Sequence, residues 1–346
     1  MSFPVQRPRR LRRTESIRRL VRETTLSLDD LIYPLFVVPG TNVRKEIGAL
    51  AGNYHLSIDC LIEEVKEARD LGISTFLLFG VPDPSEKNET ASASYAPHGI
   101  VQEALRSLKS MVPDILVITD VCPCEYTSHG HCGIIEQGYL ANDRSLEVLA
   151  QITVSHAEAG ADMVAPAAML DGQIQTMRQA LDSHGFENLP IMAYAAKFAS
   201  ALFDPFFKQG THSTLAFGDK KTHQMDFANT DEAMREIAMD IEQGADIVMV
   251  KPALFYLDVV YRAKQQFHMP LAVYNVSGEY AMIQAAAQLG FLNKDAVMME
   301  ALTSLKRAGA DLLITYFAKQ AARLLSASSR TTVEAVLERQ SALTAA

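Results

Sequence analysis

No stretch of the 346 residues comes near the roughly 18 to 20 consecutive apolar positions that a membrane-spanning helix needs, so none is expected. Positive charge is scarce: a net charge of -9 removes any general attraction for nucleic acid. Linkers and low-complexity tracts are missing, which argues against a string of separate domains. No G-x-G-x-x-G follows the first strand-like run, so the signature of a dinucleotide-binding sheet is absent. Cysteine is sparse, at four residues, and the arginine-rich first 25 residues run on into patterned helix and strand without a cleavable apolar core. A cytoplasmic protein is the expectation.

The composition that remains, 48% hydrophobic and 21% charged, belongs to a globular chain able to bury a large core. A single α/β barrel takes about 250 residues, which leaves room here for extensions. From Leu31 onward, short β-branched or leucine-rich runs alternate with longer segments of helical period. The runs begin at Leu31, Ile73, Ile115, Ala161, Pro190, Ala245, Leu271 and Ala310, and their apolar character suggests strands covered on both faces. Helices are expected between them, among others over Asp59–Leu71, Asn142–Ala159, Gly172–His184, Asp231–Gln243 and Met298–Ala308. Three of these end alike, in Gly160-Ala161-Asp162, Gly244-Ala245-Asp246 and Gly309-Ala310-Asp311, with glycine where a left-handed C-terminal cap stops a helix. Eight strands in one alternation favour a closed (β/α)8 TIM barrel over an open doubly wound sheet. The barrel is assigned to residues 31–346 and an N-terminal arm to residues 1–30.

Within the arm, Arg7, Arg9, Arg10, Arg12, Arg13, Arg18, Arg19 and Arg22 crowd into sixteen positions. Phosphate contacts are one reading of such a cluster. The interleaving of Ile17, Leu20 and Val21 at helical spacing favours another, an amphipathic arm that docks on a neighbouring subunit.

Barrel active sites form at the C-terminal ends of the strands. There the sequence collects Asp120 after the third run, Lys197 after the fifth, Lys251 after the sixth, Ser277 after the seventh and Tyr316 at the eighth. Lys197 and Lys251 are each the sole charge in a long apolar stretch. A lysine so placed either extends its head to water or gives up its proton, and the neutral amine is the form that attacks a ketone to make a Schiff base. Two ammonium groups held close depress one another, so a pair at consecutive strand ends favours catalysis. Directly after Asp120 comes Cys122-Pro-Cys124-Glu-Tyr-Thr-Ser-His-Gly-His-Cys132, a C-x-C-x7-C array. Three thiolates suit zinc and leave a fourth position open for catalysis, unless His129 or His131 fills it to make a structural site. Cys60 stands alone among apolar neighbours and reads as a small core residue.

The sequence resembles the zinc-type 5-aminolevulinate dehydratase (porphobilinogen synthase) family. The likeness runs through DVCPCEYTSHGHCG from Asp120, YAAKFAS from Tyr194, MVKPA from Met249, VSGEYAMI from Val276 and KRAGADLLITYFA from Lys306, and reaches RPRRLRR at Arg7. The resemblance implies condensation of two 5-aminolevulinate molecules to porphobilinogen with loss of two waters. It implies Lys251 as the Schiff base for the propionate-side substrate, Lys197 for the acetate-side one, and Asp120 assisting proton transfer. Zinc would be held by Cys122, Cys124 and Cys132. Ser277 and Tyr316 would bind the first carboxylate, and Gln224 would face the second substrate. Glu236 would bind an activating magnesium, and the arms would build a homo-octamer.

Departures from the family pattern concentrate on the second carboxylate. Phe207 and Lys220 stand where arginines are usual, His223 replaces a tyrosine, and Ala167 falls where a P-S motif is common. A lysine lacks the planar two-point grip of arginine and phenylalanine has none, leaving Lys220, Lys208 or Lys221 to compensate. The competing expectations are a divergent paralogue acting on a different second substrate, or a non-catalytic metal-binding paralogue.

Overall fold

The computed structural model describes residues 6–327. Eight parallel strands form the barrel: β1 (Leu31–Val37), β2 (Thr75–Gly80), β3 (Leu116–Val121), β4 (Met163–Pro166), β5 (Met192–Lys197), β6 (Ile247–Lys251), β7 (Leu271–Asn275) and β8 (Leu312–Thr315). Each overlaps one expected run, although β5 extends three residues past the run expected from Pro190 to Tyr194. Neighbours in sequence pair in parallel from β1 to β4 and from β5 to β8, and β8 returns to β1. The remaining gap, between β4 and β5, is spanned by a bridge between Val164 and Ile191 and by the Val164 amide donating to the Pro190 carbonyl at 3.1 Å. The ring is therefore a (β/α)8 barrel. Almost every strand residue is buried, since side chains fill the inside and helices cover the outside.

The helices are α1 (Glu15–Leu20), α2 (Ile58–Asp70), α3 (Ile100–Met111), α4 (Asn142–Glu158), α5 (Gln173–Ser183), α6 (Thr230–Glu242), α7 (Leu257–Phe267), α8 (Ser277–Gln288) and α9 (Lys294–Ala308), with a further helical stretch over 318–327. Most expected helix ends shift by a single residue, and one start moves further. Helix α9 begins before Met298 because Asn293 caps it, its side chain accepting from the Ala296 amide at 3.0 Å. Gly172 lies before α5, not within it, in the left-handed region at φ 78°.

The repeated Gly-Ala-Asp does more than stop helices. Gly160, Gly244 and Gly309 all have positive φ, as the caps require. The aspartates that follow stitch the lower rim of the barrel. Asp162 accepts from the Val117 amide at 2.7 Å, Asp246 from Ile191 at 2.8 Å and Asp311 from Leu271 at 2.8 Å, while each aspartate's own amide donates back to the same residue. Three strand starts are thereby fixed in register away from the active end, where contacts serve stability.

Ahead of β1, the arm stays outside the barrel and buries no residue in α1. Residues 1–5 of the expected arm and 328–346 of the expected barrel span lie outside the described residues. Among the described residues, no helix is long and apolar enough to cross a membrane.

Candidate active site

Strands β5 and β6 end in register, with Lys197 and Lys251 as direct partners across the pair. Both side chains are buried. The Lys251 Nζ lies within reach of four aromatic rings, 4.3 Å from the centroid of Tyr274, 4.9 Å from Tyr194, 5.1 Å from Phe206 and 5.2 Å from Phe203. Rings offer the ammonium only their quadrupoles and keep water away. Burial, and then the neighbouring Lys197 charge, pull Lys251 down to about 7 against the opposing pull of Asp120. The Lys197 Nζ donates to the Ala167 carbonyl at 2.5 Å and sits 5.5 Å from the Tyr194 ring.

Tyr194 was concealed by strand alternation, which puts it on the opposite face from Lys197. A bulge changes that. Ala193 pairs with Val248 and Ala196 with Val250, so three steps of β5 match two of β6 and both side chains reach the same interior. Such an insertion leaves no mark in the sequence. Tyr274 could have been found: it is the penultimate residue of β7, next to the barrel mouth.

Asp120 near the end of β3 faces these amines. Burial pushes it up to about 6, with Lys251 and then Lys197 pulling the other way. Its Oδ1 is buried without a hydrogen-bond partner. Tyr316 reaches the pocket through its hydroxyl, 3.1 Å from that of Tyr274. Ser277, at the start of α8, accepts from the Phe206 amide at 3.2 Å and donates to the Leu202 carbonyl at 3.1 Å. It thereby fastens a cover made of Ala201–Phe203 and Phe206–Gly210 over Lys251.

Beyond Asp120, the sulfurs of Cys122, Cys124 and Cys132 all lie within 4.8 Å of one another, with Cys122 and Cys124 at 3.3 Å. Zinc–sulfur bonds of about 2.3 Å in a tetrahedron require sulfurs about 3.8 Å apart, so the three thiols fit one ion. Hydrogen bonds from Cys122 and Cys124 hold Cys132 well below the usual thiol range, and burial pushes Cys122 well above it. A metal bound by all three sulfurs would displace whatever protons they carry. Neither histidine joins the three sulfurs. His131 instead bonds the Phe217 carbonyl through Nε2 at 3.0 Å, and the His129 Nδ1 accepts from the His131 amide at 3.2 Å, so both shape the loop. Glu125, which sequence reading passed over, is buried 3.2 Å from the Cys124 sulfur.

Lys220 is brought to this cluster, its Nζ donating to the Cys132 sulfur at 3.4 Å. Burial works against its charge, yet the neighbouring Cys124, Cys132 and Cys122 sulfurs, and then Glu125, raise its affinity for the proton. Lys208 is not brought in: it sits on the exposed flank, paired with Asp204 at 2.6 Å. Lys221 also points outward, with 74% of its side chain exposed. Gln224 is buried with its Nε2 unpartnered and lines a cleft of about 420 Å³ that extends to Asp171, Glu232 and Glu236. Burial, then Asp171 and Glu232, push the Glu236 carboxyl up.

The profile of the delta-aminolevulinic acid dehydratase family matches residues 5–324. A delta-aminolevulinic acid dehydratase of Synechocystis sp. is 52% identical over 327 residues, covering 93% of this chain and 99% of its own. One from Bacillus subtilis is 48% identical, covering 94% of this chain and all of its own. Among solved structures, the Toxoplasma gondii delta-aminolevulinic acid dehydratase (porphobilinogen synthase) in complex with the reaction product porphobilinogen superposes with a TM-score of 0.91 at 41% identity. That match covers 93% of this chain and 92% of the other.

Proposed function

The chain belongs to the delta-aminolevulinic acid dehydratase family, and from that membership we propose that the two lysines and three cysteines at its barrel mouth carry the reaction. It is a hydro-lyase that condenses two 5-aminolevulinate molecules to porphobilinogen with loss of two waters. The observation that carries the assignment of roles is the pair of buried amines side by side on β5 and β6.

Each substrate brings a ketone, and each ketone oxygen must leave as water. A neutral lysine amine attacks the carbonyl carbon, the oxygen departs with two protons, and the imine left behind is a better electrophile than the ketone. In our reading Lys251 forms this Schiff base with the propionate-side substrate and Lys197 with the acetate-side one. Asp120, pushed up to about 6, is suited to shuttle protons near neutrality and to take the last one as the ring becomes aromatic. Ser277 and Tyr316 bind the propionate-side carboxylate, the first once it exchanges its bonds to the cover for bonds to substrate. Lys220 and Gln224 face the acetate-side molecule, where Phe207 supplies no cation; Lys208 would have to turn inward to take part.

Cys122, Cys124 and Cys132 are the residues that would hold zinc, which when bound supplies a Lewis acid beside the second substrate. Buried free thiols persist in a reducing compartment, which supports a cytoplasmic setting. Glu236 would hold an activating magnesium, since the like charges of Asp171 and Glu232 beside it favour a cation there. The arm would join subunits, as an octamer in the family pattern.

Two measurements test these assignments. Porphobilinogen formation from 5-aminolevulinate should vanish on chelation and return with zinc, and a Cys124→Ala variant should lose stoichiometric zinc and most turnover. Borohydride reduction in the presence of substrate should label Lys251; a saturated sample without label would rule out its Schiff base.

A further inference from the structure

Two adjacent lysines in one turn part company. Lys221 is exposed and loosely paired with Asp219 at 3.7 Å, as surface lysines are. Lys220 is only 6% exposed and makes no ion pair with a carboxylate closer than 4 Å among the described residues. Burying an ammonium in this way is costly unless something specific compensates. Its Nζ donates a hydrogen bond to the Cys132 sulfur at 3.4 Å and stands 4.1 Å over the face of the Phe207 ring. Phe207 is itself braced edge-on by Phe203 and Phe206, with ring centroids at 6.0 and 5.6 Å. The ammonium is thus enclosed between a sulfur and an aromatic face.

We propose that Lys220 is a positioning residue of the three-cysteine metal centre, where its charge and N–H···S bond fix Cys132 and balance the metal–thiolate cluster, in addition to any contact with substrate. Three thiolates around a divalent ion leave one uncompensated negative charge in a buried place, and the Lys220 ammonium cancels it. A hydrogen bond to sulfur also withdraws electron density from the thiolate, so the metal stays a stronger Lewis acid. Phe207 has a role on the same grounds: it shields the ammonium from water, where an arginine would set a second cation against it. The presence of phenylalanine at that position and the burial of Lys220 therefore belong together.

The inference rests on the zinc assignment made above, and its test separates the two. Zinc affinity is measured on the full-length enzyme by competition with a chromophoric chelator, and the thiolate-to-metal charge-transfer band is recorded after cobalt substitution. Lys220→Met should weaken zinc by about tenfold or more, the usual cost of losing a group that supports a ligand. It should also move the cobalt band to longer wavelength, because the sulfur becomes more electron-rich. Lys220→Arg should restore both. Lys220→Gln, which keeps an N–H donor without the charge, should show the same two changes in smaller measure and serves if the methionine variant fails to fold. Zinc affinity within twofold of the parent and an unmoved cobalt band in Lys220→Met, with only KM raised, would overturn the inference and leave Lys220 as a substrate contact. A parent enzyme that binds no zinc would overturn the zinc assignment itself, and the inference with it.

Discussion

At the scale of single residues, the proposed Schiff-base chemistry turns on how far Lys251 departs from an ordinary lysine. An unperturbed amine near 10.4 is neutral in roughly one molecule in 2,500 at pH 7, whereas one held at about 7 is neutral in half. Because the reactive form is the free base, kcat/KM should rise with pH along a limb between about 6 and 7, where Asp120 and Lys251 lose their protons as a coupled set. Opening the ring enclosure with Phe203→Ser admits water, restores part of the lost solvation of the ammonium and should shift that limb upward; a limb left in place would show that the enclosure does not set the basicity. Both lysines were legible as lone charges in apolar runs, and the three cysteines by their spacing. Lys208 and Lys220 were not distinguishable, because both lie in the irregular segment between β5 and α6, where no period tells inward from outward. Only the three-dimensional path of that segment puts one on a sulfur and the other in solvent.

Among the elements, strands were readable and the cover was not. Barrel strands declare themselves as apolar runs, and each expected run overlaps a strand. The segment 201–210 has no such signature, since its place depends on what α8 offers it. There Gly278 is indispensable: a Cβ added to it would meet the Leu202 carbonyl oxygen at 2.6 Å and the Leu202 Cα at 2.7 Å. Beneath this contact, the buried Glu279 accepts from the amides of Ala253 at 3.1 Å, Leu254 at 2.7 Å and Val276 at 3.0 Å, and from the Asn275 side chain at 2.8 Å. Asn275 in turn accepts from the Thr315 hydroxyl at 2.9 Å. One carboxylate thus ties together the ends of β6, β7 and β8, which carry Lys251, Ser277 and Tyr316. Gly278→Ala leaves that network intact but lifts the cover off Lys251. A displacement of about 1 Å at a reacting centre can cost on the order of a hundredfold in rate. Turnover should therefore fall by at least tenfold, with faster hydrogen exchange over 201–210, while the melting temperature changes little. Unchanged exchange in that segment would mean that the cover does not rest on Gly278.

On the scale of the whole molecule, the arm is the part that the barrel does not explain. Helix α1 spans six residues, too few to persist in water unaided, and none of them is buried. Leu11 before the helix, Leu20 in it and Val21 after it are 54%, 84% and 43% exposed, so the apolar side of the arm is uncovered among the described residues. Its charge points to what does. Residues 7–22 hold eight arginines against one glutamate in a chain of net charge -9, so the barrel is more negative than the chain as a whole. Only Arg18 and Arg22 find Glu15 among the described residues of the arm, at 2.7 and 3.7 Å. A positive, amphipathic arm beside an acidic barrel is complementary to a second copy of the same chain, with apolar contact setting the affinity and charge steering the approach. Deleting residues 1–22 should therefore reduce the assembly measured by light scattering to a smaller species while leaving the barrel folded, as judged by circular dichroism. Raising salt from about 0.1 M to about 1 M shortens the screening length from about 10 Å to about 3 Å. It should shift the intact protein part of the way toward the same smaller species, because the arginines lose their reach and the three apolar side chains do not. An assembly that withstands both the deletion and the salt would place the subunit contacts on the barrel itself, and the arm would then need another surface to cover its leucines.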